Sequence, residues 1–211
     1  MVNLCYFQSM NTYSYESLNQ HLRPGRVYRR DMLLSYSKAL DRDLNTLVEK
    51  GELRKLAGGL YYKPAMSRLG MLPPKDDNLV GCFLRDKQFL MYSMNQYNSL
   101  GVGLTQLYNR VVVLNRKRHG VVKLGNREFD FRRPSKGFPN KVTAEFLLVD
   151  LVNNLDELAE DTSLVKENIH KNLTRFDQEK LVRLASEYGK ISTKKFFEEI
   201  CHQECIFASA I

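Results

Sequence analysis

Apolar positions keep a helical rhythm between residues 40 and 48. Leu40, Leu44, Leu47 and Val48 fall at i, i+4, i+7 and i+8, the spacing of a stripe turned toward a core. At roughly 100° per residue, the opposite face carries Lys38, Arg42, Asn45, Thr46 and Glu49. Gly51 stands where a left-handed residue ends a helix. Residues 53–56 and 60–63 then read as two short arms around Ala57-Gly58-Gly59, a strong hairpin signal. Upstream, residues 13–22 suit a first helix, Pro24-Gly25 breaks it, and residues 29–35 suit a short second one. Ser37 is placed to cap the third.

Three helices and a hairpin in this order predict a winged helix-turn-helix over residues 10–64, a form that lays its third helix in a DNA groove. The candidate DNA contacts are Arg29 and Arg30, then Ser37, Lys38, Arg42 and Asn45 on the third helix, and Arg54 and Lys55 on the wing. The same pattern also makes plain core pieces with a solvated charged face.

Beyond Lys63-Pro64, residues 65–77 read as a linker, with Pro73-Pro74 inside it. Residues 78–94 hold apolar runs too short to type. Residues 110–115, 121–124 and 127–132 read as strands, the last alternating Phe129 and Phe131 with charges. From Thr143 the rhythm is helical again, with Leu147, Leu148, Leu151, Val152, Leu155 and Leu158 forming a broad apolar face. Further helices are expected over 163–173, from an Asp177 cap to Gly189, and from Ser192 onward. The expected class is therefore α+β. The N-terminal winged helix-turn-helix is followed, over residues 78–211, by a small, mostly antiparallel sheet backed by a C-terminal helical cluster.

No stretch approaches the roughly 20 apolar residues of a membrane span, and the N-terminus has no signal-peptide pattern, so a cytoplasmic protein with no membrane partner is expected. The segment NLCYFQSM looks like a distorted protease-cleavage remnant, which places the expected native start at Met10. Cysteines at 5, 82, 201 and 205 form no paired ligand sets. Cys201, His202 and Cys205 lack a fourth ligand, and amphipathic packing accounts for the cysteines more simply, so no metal or cofactor is expected.

The net charge of +8 is unevenly spread. Residues 1–64 carry 10 Lys and Arg against 6 Asp and Glu, residues 65–140 carry 13 against 5, and residues 141–211 carry 9 against 13. A basic front and middle with an acidic tail suits a protein that holds a polyanion at one end.

In the second part, Tyr97, Asn98, Thr105 and Gln106 flank Gly101-Val102-Gly103. A phosphate loop would need a third glycine or a Lys-Ser/Thr, which do not follow, and a glycine-permitted turn is the simpler account. Those four polar residues, together with Asn115, Arg116, Arg118 and His119, form the candidate functional surface of this part. With Lys123, Arg127, Arg132 and Arg133 the 116–119 turn makes a second basic surface, or a solvated loop. Signatures of Ser hydrolases, zinc peptidases and P-loop enzymes are missing, so nothing nominates a catalytic residue. An RNA- or nucleotide-handling enzyme with its site in this part, and a protein-interaction module using the acidic helices, remain the alternatives.

One resemblance covers most of the chain. Ser37-Lys38-Ala39-Leu40, residues 47–53 (LVEKGEL), residues 58–64 (GGLYYKP), Tyr97-Asn98 through Thr105-Gln106, residues 110–114 with Asn115-Arg116, and Phe146-Leu147 to Asp150-Leu151 resemble the AbiEi-type antitoxins of bacterial type IV toxin–antitoxin systems, in a stand-alone branch. The resemblance implies a regulator that binds operator DNA at its own promoter. Its second domain would counter a cognate toxin of nucleotidyltransferase type. Operator sequence and oligomeric state are not specified by the sequence.

Overall fold

The computed structural model describes residues 15–208, with side chains through residue 202. The residues ahead of 15, including the cleavage-like segment, lie outside that range, as does the side chain of Cys205. The chain forms two compact units, residues 1–87 with 123–127 and residues 88–122 with 128–211.

In the first unit, helix α1 (residues 15–21) leads to strand β1 (Val27–Arg29), a 3-10 run (Arg30–Tyr36), helix α2 (Leu40–Glu49), and the hairpin β2 (Arg54–Ala57) and β3 (Leu60–Tyr62). The three strands are antiparallel in the order β1-β3-β2. Strand β1 was not expected. It is three residues long, too short for alternation to show, and it exists because β3 offers it a partner. The short second helix expected over residues 29–35 is a seven-residue 3-10 run, Arg30–Tyr36. Leu18, Leu22, Leu33, Leu40, Leu44, Leu47 and Leu53 bury together with Tyr28 and Tyr61. Gly51 ends α2 at φ 73° as the sequence implies, and Gly58-Gly59 turns the hairpin.

A half-buried polar link ties this unit together. Lys63 Nζ donates to Asn19 Oδ1 (2.6 Å) and Glu52 Oε2 (3.0 Å), and Asn19 donates to the same Glu52 oxygen. The bond from Lys63 holds the Glu52 carboxyl below its ordinary pKa, against the opposing effect of burial.

The stretch expected as a linker is structured. β4 (Ala65–Ser67) and β5 (Gly70–Leu72) form a two-stranded ribbon, and helix α3 (Asp76–Leu84) follows. Tyr62 Oη donates to Leu72 O at 2.8 Å, fastening the end of the ribbon to β3. The Pro73-Pro74 signal marks only the turn between β5 and α3.

A four-stranded sheet, most of whose residues belong to the second unit, has the order β6-β7-β9-β8, from β6 (Leu90–Ser93), β7 (Arg110–Leu114), β8 (Gly120–Leu124) and β9 (Arg127–Arg132). β6 pairs antiparallel with β7, but β7 and β9 run parallel. The hairpin β8–β9 places β9 inside and leaves β8 at the edge, so the sheet is mixed. Behind it pack α4 (Ala144–Asn154), α5 (Thr162–Lys171), α6 (Gln178–Tyr188) and α7 (Ile191–Ala208). Thr143 caps α4 by accepting from Phe146 N, and Asp177 caps α6 by accepting from Lys180 N. Cys201 is buried in the helical core, which accounts for it by packing. No helix among the described residues is long and apolar enough to cross a membrane.

Candidate functional site

Of the eight residues expected at a nucleic-acid face, the fold engages three, Arg29, Arg30 and Ser37, in bonds of its own and presents the other five on the surface. Arg29 bonds Asp31 Oδ1 at 3.1 Å, and its Nη1 donates to Cys82 O and Phe83 O at the end of α3. A guanidinium on last-turn carbonyls satisfies acceptors that the helix itself cannot. Arg30 forks onto Asp41, with both N···O distances 2.6 Å, and that hydrogen-bonded pairing holds the Asp41 carboxyl below its usual range. Ser37 lies just ahead of α2, which begins at Leu40. Its Oγ donates to Asp43 Oδ2 at 2.5 Å and accepts from Ala39 N. Asp43 is 2% exposed. It sits one turn after Leu40 on the buried stripe and needs that hydroxyl to enter the core.

Arg42 and Asn45 are exposed on α2, Lys38, expected on that helix, is exposed in the turn just ahead of it, and Arg54 and Lys55 are exposed on β2. Arg42 Nε is 3.9 Å from Asp43 Oδ1. Six of the eight expected contacts are thus exposed on one small unit, five of them cationic, and of these Arg30 is already paired with Asp41.

The polar residues of the second unit divide in another way. Asn115 is buried and closes a turn: its Nδ2 donates to Val113 O, Arg118 O and Arg132 O, and its Oδ1 accepts from Lys117 N and Arg118 N. It shapes the 116–119 turn, on which Arg116, Arg118 and His119 are exposed. Asn98 Nδ2 donates to Gln106 O, while the backbone amides of Thr105 and Gln106 both donate to Glu160 Oε1. The 97–106 segment is thus a stitched loop. Its glycines have left-handed φ values of 71° (Gly101) and 84° (Gly103). A Cβ on Gly103 would lie 2.6 Å from Asn168 Nδ2, and one on Gly101 2.5 Å from Arg175 Nη1. Close approach and backbone conformation, rather than phosphate binding, account for this pair.

The expected second basic surface is partly spent. Arg127 donates through Nη1 to both carboxylate oxygens of Asp76 within the first unit, and Arg132 bonds Asp130 Oδ2 at 2.8 Å. Burial lowers the Arg132 pKa, but the Asp130 carboxylate more than offsets this and leaves it above the ordinary value.

Tyr97 has a role that the sequence did not reveal. It is fully buried, and its hydroxyl donates to Asp150 Oδ2 at 2.5 Å, an oxygen that also accepts from Tyr92 Oη. Burial first, and then the charge of Asp150, push both phenols well above their ordinary pKa. The one available sign was an acid at position 150 inside the apolar run Phe146–Val152. Asp150 lines a cleft of about 500 Å³ together with His119, Asp130, Arg132, Arg133, Lys136, Tyr188 and Lys190.

A family model, described as a family of unknown function (DUF6088), matches residues 15–181. The chain belongs to the DUF6088 family. No curated protein matches it. The DUF6088 span takes in the exposed side of α2, the β2–β3 hairpin and the Tyr92–Tyr97–Asp150 cluster. It stops short of Tyr188 and Lys190.

Proposed function

We propose that the first unit is a winged helix-turn-helix that binds duplex DNA, with α2 as the groove helix and β2–β3 as the wing. The observation that carries this reading is the helix–strand–helix–helix–strand–strand sequence closed by a sheet in the order β1-β3-β2. Arg42 and Asn45 lie on the side of α2 away from its buried leucines, with Lys38 exposed in the turn just ahead of the helix. Recognition helices use such a side for bases and phosphates, and wings use Arg and Lys for the backbone. From the resemblance to AbiEi-type antitoxins we infer a regulator of its own promoter whose second unit counters a cognate toxin.

DNA binding is tested by fluorescence anisotropy on a duplex from upstream of the gene, comparing wild type with the Lys38→Ala/Arg42→Ala/Arg54→Ala variant. Removing three phosphate contacts should weaken binding and flatten the slope of log K against log salt by about 2.7. Equal affinity and slope would refute the assignment. The antitoxin role is tested by co-expression with a nucleotidyltransferase-like protein encoded beside the gene. Growth rescue is expected, and unrelieved toxicity would overturn it.

A further inference from the structure

The cleft of the second unit combines three features that no single simple ligand satisfies. Its first feature is the Asp150 carboxylate. Oδ2 is occupied by the hydroxyls of Tyr92 and Tyr97, which leaves Oδ1 as the remaining acceptor on a residue that lines the cleft. Its second is a set of cations. Arg133 and the ammonium of Lys190 make no ion pair among the described residues, and Lys136 spends one donor on Gly189 O at 2.8 Å. The Arg132 charge is already matched by Asp130. Its third is the Tyr188 ring, half-buried and held edge-on to Phe146 with centroids 6.0 Å apart. The wall beside it is pinned, because Asn153 donates to Tyr188 O and accepts from Lys190 N. The cleft is therefore preformed, and about 500 Å³ suits a small molecule.

A bare anion would meet the cations but also the Asp150 and Glu157 carboxylates. An amine would meet those carboxylates but also Arg133, Lys136 and Lys190. A matching ligand has an anionic end, hydroxyl donors and a flat apolar body. We propose that this cleft binds a ribonucleotide. Phosphate lies on Arg133, Lys136 and Lys190, a ribose hydroxyl donates to Asp150 Oδ1, and the base packs on Tyr188. Carboxylates take ribose diols in this way in dinucleotide sites, and cation-to-phosphate contacts supply the charge-assisted bonds.

The test uses the full chain with the four ribonucleoside 5′-monophosphates, their 2′-deoxy counterparts and inorganic phosphate, read by calorimetry and thermal shift. At least one ribonucleotide should bind at about millimolar concentration or tighter and raise Tm. The matching deoxynucleotide and inorganic phosphate should bind at least tenfold more weakly. The Arg133→Ala/Lys190→Ala variant changes only exposed groups, so it should keep the unliganded Tm while losing at least tenfold in affinity. Asp150→Asn should erase the preference for ribose, and the Arg133/Lys190 variant decides the matter should Asp150→Asn not fold. Phosphate or a deoxynucleotide binding as tightly as the ribonucleotide, affinity unchanged in the Arg133/Lys190 variant, or no binding by any of the four would each overturn the proposal.

Discussion

Replacing Tyr97 by Phe removes one hydroxyl from a carboxylate that depends on two. The Tyr97 ring is 0% exposed, and Phe keeps its volume and apolar area, so the cavity and transfer costs are close to nil. What is lost is a hydrogen bond to a charged acceptor, worth about 1.5–3 kcal/mol. Tyr92 continues to donate to Asp150, which limits the cost to that range. For a chain of this size the midpoint should fall by roughly 3–12 °C. Urea titrations followed by circular dichroism would supply the free energy. The Tyr92→Phe/Tyr97→Phe double variant should lose more than the sum of the single variants, because it leaves a buried carboxylate without either donor. A loss below about 0.5 kcal/mol for Tyr97→Phe, or strict additivity in the double, would refute the reasoning. The pH response has a definite sign. Both phenols are raised above 10.0 in the folded chain by burial and by Asp150. An unfolded chain begins to release those protons near pH 10, so their contribution is whole below that pH and is lost above it. Absorbance titration should find these two phenols still protonated where exposed tyrosines have ionised, and an early titration of all tyrosines would contradict it.

Two further substitutions separate packing from surface function. Ser37→Ala should destabilise by about 1–3 kcal/mol, because it strips the buried Asp43 carboxylate and the Ala39 amide of one hydroxyl. An unchanged denaturation midpoint would restore Ser37 as a purely surface residue. Gly103→Ala should cost about 1–3 kcal/mol, from its φ of 84° and the close Asn168 amide. Gly58→Ala meets nothing within 4 Å and serves as the near-neutral control in the same denaturation series.

Much of the first unit was legible because its signals are local. Spacing identified the Leu40–Leu44–Leu47 stripe, and glycine chemistry placed the stop at Gly51 and the turn at Gly58-Gly59. Thr143 and Asp177 were readable as caps for the same reason: each bonds an amide three residues away. Strand β1 and the ribbon of β4 and β5 escaped because three residues are too few for a period. The roles of Arg29 and Arg30 escaped for another reason. Arg29 meets carbonyls 53 and 54 residues away, and Arg30 meets a carboxylate 11 residues away.

The candidate cleft was the least legible feature. Tyr97 was singled out as a polar candidate, yet its partner lies 53 residues further along, and Tyr92 is 58 residues from the same carboxylate. Arg133 reads in sequence as part of a second basic surface, whereas Lys136 and Lys190 give no signal of their own there. By itself the sequence determined the α2 helix with its basic and apolar sides, the hairpin after it, and the helical run from Thr143, since each follows from chemistry within a few residues. The tertiary structure alone decided which charges the fold uses and which it leaves free, and that Asp150, Tyr92 and Tyr97 share one buried point. A side chain's partner across the chain depends on how strands and helices pack, and no short-range period encodes that.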